Sequence, residues 1–227
     1  MQKQSKGEST LRVQSVKMNK KTIYIIRHGE TDMNLRECLQ GQIDSELNEN
    51  GIKEAGTAAE NIRNAGIVFD IIYSSPLKRA MKTAQIIADG REVIAEPLIK
   101  EMRFGHYEGM PYKSIDSGMW AFIRDPENTR PPADVESIKS LTDRTGRFLR
   151  RVLNDSSCGN ILAVSHGIAL RSMLWNVFPP EGRHKVWSMP IENCVVYRIE
   201  AVNSVVTSVS RADELSQKNE SDTSAAF

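Results

Sequence analysis

No apolar run in this chain approaches the roughly 20 residues that span a bilayer, and the N-terminal MQKQSKGEST lacks the apolar centre of a secretion signal. Cysteine is scarce. Cys38, Cys158 and Cys194 are odd in number and far apart, which fits neither a zinc site nor a disulfide framework. Charge of one sign is missing as well: 30 basic residues face 29 acidic ones, for a formal net charge of +1. That balance gives no global reason to expect nucleic acid or a membrane surface as partner, so any group of arginines has to be judged locally. Nor is there a second hydrophobic block, and 227 residues suffice for one substantial core. Together these absences predict a single cytoplasmic domain with three reduced cysteines.

What is present is an alternation of strand-like and helix-like segments. Residues 1–20 and 211–227 are polar without periodicity and read as flexible tails around a domain spanning 21–210. Thr22 to Ile26 reads as a strand buried on both faces. Asn48 can cap a helix with Ile52, Ala55, Ala59 and Ile62 on one face, ending near Gly66. Phe69 to Ser74 reads as a strand, and Ser75-Pro76 as the cap and first residue of a helix carrying Leu77, Ala80, Met81, Ala84, Ile87 and Ala88. Glu92 to Ala95 is a short strand, and a long helix is expected from about Asp134 to Leu153. Asn160 to Ser165 is the next strand, with a helix after Gly167 to about Phe178, and two closing strands lie in 193–199 and 204–208. This order predicts an α/β fold, a three-layer α/β/α sandwich with a mainly parallel sheet. Residues 110–134, rich in proline and aromatics, are expected as a small insertion over the carboxyl ends of the strands.

Those strand ends are where ligands bind in such folds, and three of them carry unusual chemistry. Arg27-His28-Gly29 follows the first strand, Ser74-Ser75-Pro76 leads to Arg79 after the second, and Ser165-His166-Gly167 follows the third. Two guanidinium forks suit a tetrahedral oxyanion, the glycines permit close approach of backbone donors, and helices starting just beyond would aim free N–H groups the same way. Of two imidazoles at one pole, one can attack phosphorus while the other steadies the transferring oxygens. A proton donor for the leaving oxygen is then required, and Glu101 and Glu108 in KEMRFGHYEGM are the candidates.

Five motifs in order carry a resemblance to a known family: RHGETDMN at 27–34, LQGQIDSELNENG at 39–51, SSPLKRAMKTA at 74–84, EMRFGHYEGM at 101–110 and VSHG at 164–167. Over roughly 21–206 the chain resembles the histidine phosphatase superfamily, the phosphoglycerate mutase-like proteins. The resemblance implies that His28 becomes a phosphohistidine, with Arg27, Arg79 and His166 completing the phosphate pocket and Asn34, Gln40 and the backbone of Gly167 adding contacts. It implies Glu101, before the Phe104-Gly105 pair, as proton donor and then base for water, which leaves Glu108 a structural role. It implies no metal and no cofactor. For attack His28 must be neutral, its second nitrogen donating to a backbone carbonyl with two arginines lowering its pKa, whereas Glu101 must hold a proton.

Within that family the mutase pattern has histidine-tyrosine-glycine just after the donor and alanine-histidine-glycine-asparagine at the second histidine. Here Arg103 to Gly109 reads RFGHYEG and Ser165 to Ile168 reads SHGI, which resembles the phosphatase branch. The expected partner is a small phosphomonoester, and Trp120 and Phe122 are expected to form an apolar wall for a bulky leaving group. Phosphoglycerate mutase-type transfer is the alternative. A serine α/β-hydrolase, with Ser165 in a near-match to the nucleophile elbow, needs Glu181 and His184 as partners and leaves RHGET unexplained. A non-catalytic phosphate-binding protein would be signalled by loss of His28 or Glu101. His106 and His184 match no catalytic motif, and no sequence feature fixes an oligomeric state.

Overall fold

The computed structural model describes residues 19–212, and apart from those few residues at their inner ends both expected tails lie outside the described residues. Strand β1 (Lys20–Arg27) lies at the centre of the architecture. It is followed by α1 (Asp32–Leu35), α2 (Glu49–Asn64), β2 (Ile71–Ser74), α3 (Lys78–Ala88), β3 (Ile94–Ala95), α4 (Ser117–Arg124) and α5 (Ile138–Asn154). Then come β4 (Asn160–Ser165), α6 (Gly167–Val177), α7 (Arg183–Val186), β5 (Val196–Val202) and β6 (Val205–Arg211). The six strands form one sheet in the order β3-β2-β4-β1-β5-β6. The first four run parallel, while β5 and β6 add an antiparallel hairpin on the β1 side.

The period-2 pattern of β1 explains why helices cover both faces of this sheet. Ile23 and Ile25 pack with Ile161, Ala163 and Ile199 against Phe148, Leu149 and Val152 of α5 and Leu170, Met173 and Leu174 of α6. Tyr24 and Ile26 face the other way, with Leu162 and Val164, onto Ala58, Ala59 and Ile62 of α2 and Ala80, Ala84 and Ile87 of α3. Each fully buried Ile or Leu contributes about 1.5–3 kcal/mol relative to exposure. A one-residue slip of β1 would exchange the two sets.

Two helix starts differ from the sequence reading. Helix α3 begins at Lys78 with Leu77 in the cap position, and Ser75 lies before it instead of capping it. The Lys78 N–H is satisfied by Asp44 Oδ1 at 2.7 Å, a partner 34 residues away that no local pattern signals. Helix α5 begins at Ile138, capped by the Ser137 hydroxyl on Ser140 N–H, because Asp134 is engaged with the backbone and ring of His106. The closing strands begin and end slightly later than expected, Cys194 occupying a left-handed φ of 55° before β5. Between 110 and 134 the chain forms a 3-10 turn (Tyr112–Ser114) and α4. Ile115, Met119 and Phe122 pack with Leu39, Met102, Phe104, Leu141 and Ala169 in a third apolar cluster.

Candidate active site

Parallel registry brings the three unusual strand ends together. Arg27 lies opposite Ser165 across β1 and β4, and Ser74 lies beside Val164 across β2 and β4. Backbone bonds extend the ladder past the strands: His28 N–H donates to Ser165 O at 3.0 Å and Ser75 N–H to Val164 O at 2.9 Å. The imidazoles of His28 and His166 therefore face each other with centroids 5.1 Å apart, 2% and 0% exposed.

His28 is held as one tautomer. Its Nδ1 sits 2.7 Å from Gly29 O, so Nδ1 carries the proton and donates, leaving the Nε2 lone pair free to accept from Arg79 Nε at 3.2 Å. Burial, then the Arg79 and Arg27 guanidinium groups, hold this ring well below the ordinary imidazole value, against a smaller opposing effect of the Gly29 bond. His166 is likewise held well below it by burial, Arg79, His28 and Arg27. Its Nε2 is 2.7 Å from Ser75 Oγ, while its buried Nδ1 has no partner among the described residues.

The arginines are used differently. Arg79, 1% exposed, donates from Nη1 to Ile43 O at 2.7 Å and from Nη2 to Gly41 O at 2.8 Å, so the 41–45 loop fixes it in position. Burial pushes its pKa down to about 10, with Glu101 and Asp44 opposing, and it stays a cation at neutral pH. Among the described residues Arg27 donates from Nη1 alone, to Ile191 O at 2.6 Å. Its buried Nε has no partner among the described residues, which leaves one edge of a guanidinium fork open beside His28.

Glu101, 8% exposed, lines the same cavity as this pair. Its Oε1 accepts from Met102 N at 2.8 Å and Ala169 N at 3.0 Å, and its Oε2 accepts from Ile168 N at 3.2 Å. Two N–H groups in the first turn of α6, those of Ile168 and Ala169, are thus taken by this carboxyl group, as the Lys78 N–H at the start of α3 is by Asp44. The expectation that both helix starts aim free N–H groups at a ligand is corrected for these three groups, those of Lys78, Ile168 and Ala169. The backbone of Glu101 is gripped in turn: its carbonyl accepts from Arg144 Nη2 and Gln42 Nε2, both at 3.0 Å. Glu108 has a different employment, its Oε1 accepting from Gln42 N at 3.0 Å and Phe104 N at 2.9 Å.

A cavity of about 270 Å³ opens over these groups, lined among others by Arg27, His28, Asn34, Gln40, Arg79, Glu101 and Gly167. His166 is not part of the lining, and its ring stands beside that of His28. Asn34 Oδ1 is tied to Thr31 N–H in the capping box of α1, and Gln40 Oε1 accepts from Ser45 Oγ at 2.8 Å. A side chain at Gly167 would meet Arg27 Nε and Glu101 Oε2 at 3.8 and 3.9 Å, so its absence keeps the space between them open. Gly29 serves packing instead: its N–H donates to Thr83 Oγ1, and a Cβ there would lie 2.3 Å from Gly51 O. Trp120 lines the cavity as expected, together with Tyr112, Ile123 and Phe104, but Phe122 is 1% exposed within the core cluster. Ser165 is buried and donates to Ile99 O at 2.8 Å, outside the cavity lining, which leaves the serine-hydrolase alternative without a nucleophile. His106 is an exposed partner of Asp134, and the side chain of His184 lies outside the described residues.

Sequence reasoning missed Ser75 as the partner of His166, Arg144 as the clamp behind Glu101, and Arg171, which also lines the cavity. Arg171 stands four residues after Gly167, hence on the same helix face, and that spacing was the available signal. Among the described residues no helix is long and apolar enough to cross a membrane, and no group of three or more His, Cys, Asp and Glu could hold a metal ion.

Comparison with known proteins agrees with the geometry. A model of the histidine phosphatase superfamily (branch 1) matches residues 23–214. The protein named "Probable phosphoglycerate mutase GpmB" of Yersinia pestis (strain Pestoides F) is 34% identical over 184 residues, 78% of this chain and 84% of its own. A crystal structure of a mutant phosphoserine phosphatase from Entamoeba histolytica in complex with phosphoserine superposes with a TM-score of 0.71 at 28% identity. It covers 83% of this chain and 96% of that one. The α-ribazole phosphatase of Shigella flexneri shares the fold, with a TM-score of 0.71 at 24% identity over 82% of this chain and 93% of its own. With the match running from β1 through β6 and the paired histidines meeting where the parallel strands end, this chain is an enzyme of the histidine phosphatase superfamily.

Proposed function

We propose that the protein is a metal-independent phosphomonoester hydrolase working through a phosphohistidine on His28. The observation that carries this reading is the buried neutral ring of His28, its Nδ1–H anchored on Gly29 O and its Nε2 lone pair directed at Arg79. A phosphoryl group entering the cavity takes its oxygens to the open edge of Arg27 and to Arg79, replacing the Arg79–Nε2 contact and freeing the lone pair for in-line attack. The P–N bond forms as the ester P–O bond breaks, and Glu101 passes its proton to the departing oxygen. In the second half, Glu101 takes a proton from water, whose oxygen attacks phosphorus as the P–N bond breaks, and phosphate leaves. His166, fixed by Ser75, offers its unpartnered Nδ1 to the same oxygens after a proton is acquired with the dianion. Asn34, Gln40 and the backbone of Gly167 complete the pocket. Trp120, Tyr112 and Ile123 form an apolar wall against which the leaving group rests, so the favoured monoester is a small metabolite with a partly apolar body.

Neighbours named as phosphatases support hydrolysis, while the GpmB relative's name keeps mutase-type transfer as the second reading. A single-turnover quench with a radiolabelled monoester, chelator present, tests the first. Acid-labile label is expected on the wild type and on Glu101→Ala, with slowed phosphate release in the latter and no label on His28→Ala. Turnover surviving without His28, or vanishing with chelator, would sink the reading. Steady 2-phosphoglycerate formation from 3-phosphoglycerate, without phosphate release, would favour transfer.

A further inference from the structure

Glu101 stands on the loop between β3 and α4, and both of its ends are fastened to other elements. Its carboxyl head accepts N–H groups at the start of α6, while the carbonyl behind it accepts from Arg144 of α5 and from Gln42. Gln42 belongs to the 41–45 loop, whose Gly41 and Ile43 carbonyls hold Arg79. One atom, Glu101 O, is therefore where α5 and the loop that fixes Arg79 both take hold of the proposed proton donor.

The Arg144 head is fully committed to this loop. Its Nη1 donates to Leu98 O at 2.8 Å and Lys100 O at 2.7 Å, and its Nη2 donates to Glu101 O at 3.0 Å. Its Nε and Nη2 also donate to Glu136 Oε1 and Oε2, at 2.8 and 2.9 Å. Every N–H of the guanidinium thus has its own acceptor, a pattern that an ammonium, with all its donors on one atom, does not reproduce. Both side chains are nearly buried, 12% and 11% exposed. Burial alone would raise the Glu136 carboxyl, but the bonds and charge of Arg144 outweigh it and hold it below the ordinary value. Glu136 reaches the same loop, its N–H donating to Arg103 O at 2.8 Å and its Oε2 accepting from Arg103 N at 3.3 Å. Because its carboxylate cancels the charge of Arg144, the bonds behind Glu101 bring no net cation to a group that has to release a proton. A buried ion pair adds little net stability over an apolar pair of the same volume, whereas the geometry it imposes here is specific.

We infer that Arg144 is a positioning residue for proton delivery: its fork on the Leu98, Lys100 and Glu101 carbonyls, neutralised by Glu136, holds Glu101 within reach of the departing oxygen, and Gln42 sets that reach against Arg79. This rests on the proposed hydrolysis at His28 with Glu101 as proton donor. Arg144 bonds to neither Arg27, Arg79, His28 nor His166. Its loss should therefore spare esters whose leaving oxygen departs without a proton and penalise those whose leaving oxygen needs one.

The experiment compares 4-nitrophenyl phosphate, which releases a weakly basic phenolate, with 4-nitrobenzyl phosphate, which releases a strongly basic alkoxide unless it is protonated. The kcat/KM ratio of the two, which reports the step that breaks the ester bond, is measured on the full chain and on Glu101→Ala, Arg144→Lys and Gln42→Ala. Arg144→Lys keeps a cation beside Glu136, and because both esters are measured on the same protein the ratio does not depend on how much of a variant is folded. Glu101→Ala is expected to raise the nitrophenyl preference most. Arg144→Lys is expected to raise it about ten- to a hundredfold, the cost of misplacing a reacting group by about 1 Å, and Gln42→Ala by a smaller factor in the same direction. A ratio that rises in Glu101→Ala and stays at the wild-type value in Arg144→Lys and Gln42→Ala overturns the inference while leaving Glu101 as proton donor. A ratio that Glu101→Ala leaves unchanged removes Glu101 from that role, and overturns that part of the proposed function and the inference with it.

Discussion

The neutral pair His28 and His166 should reveal itself in the pH dependence of folding before any substrate is known. Both rings are buried and both have their pKa held well below the ordinary value, first by burial and then by neighbouring cations. In the unfolded chain each returns to about 6.5. For a base whose folded value is depressed, the unfolded state binds the extra proton below that point. The free energy of unfolding therefore falls as pH falls from about 6.5 toward the depressed folded value, and is unaffected well above 6.5. Each ring contributes a limiting slope of about 1.4 kcal/mol per pH unit, and the two together about 2.7. Urea unfolding at half-unit steps from pH 7.5 to 5.0, in phosphate-free buffer so that no anion occupies the cavity, measures this against His28→Gln/His166→Gln, whose amides do not titrate. The wild-type-minus-variant difference should be flat above pH 7 and steepen toward the limiting slope below pH 6, at constant m-value. The single variants should each remove about half of it. Parallel curves for wild type and double variant would refute the claim that the folded protein keeps both imidazoles neutral.

Two further outcomes separate structure from chemistry. Glu108→Ala orphans the N–H groups of Gln42 and Phe104 and should cost about 2–4 kcal/mol in urea unfolding, with Glu108→Gln recovering at least half because the amide oxygen still accepts; equal losses in the two variants would contradict this structural role. Glu127 ties the 110–134 segment to two indoles by accepting the N–H groups of Trp175 and Trp187, so Glu127→Ala should shift tryptophan emission to the red and raise KM for monoesters more than it lowers kcat. Unchanged emission would mean that this carboxylate does not hold the two indoles.

Most of what positions the site was legible because it depends on local pattern. The alternation of β1, the Asn48 cap of α2 and the apolar stripe of α5 each follow from a periodicity or a short cap, and they appear at or near the expected residues. The meeting of Arg27-His28 with Ser165-His166 was legible for a second reason: parallel strands put their carboxyl ends at one pole, so charge and glycine following an apolar run mark that pole. What failed was every inference about which polar group satisfies which helix start beside the site. The starts of α3 and α6 read as free anion sites, yet Asp44 takes the Lys78 N–H and Glu101 those of Ile168 and Ala169, both from loops far away in sequence. Ser75 read as a helix cap because it precedes a proline, when its hydroxyl in fact holds His166. Phe122 read as cavity wall together with Trp120, as an aromatic of the same segment, but on a helix a two-residue separation turns a side chain to the far side, here into the core. Arg171 lay within reach of the same helical arithmetic, four residues from Gly167. Its orientation toward the cavity, like that of Arg27, is set by the carbonyls of Met189 and Ile191, and backbone atoms that hold a cation leave no side-chain signature by which a sequence could announce them.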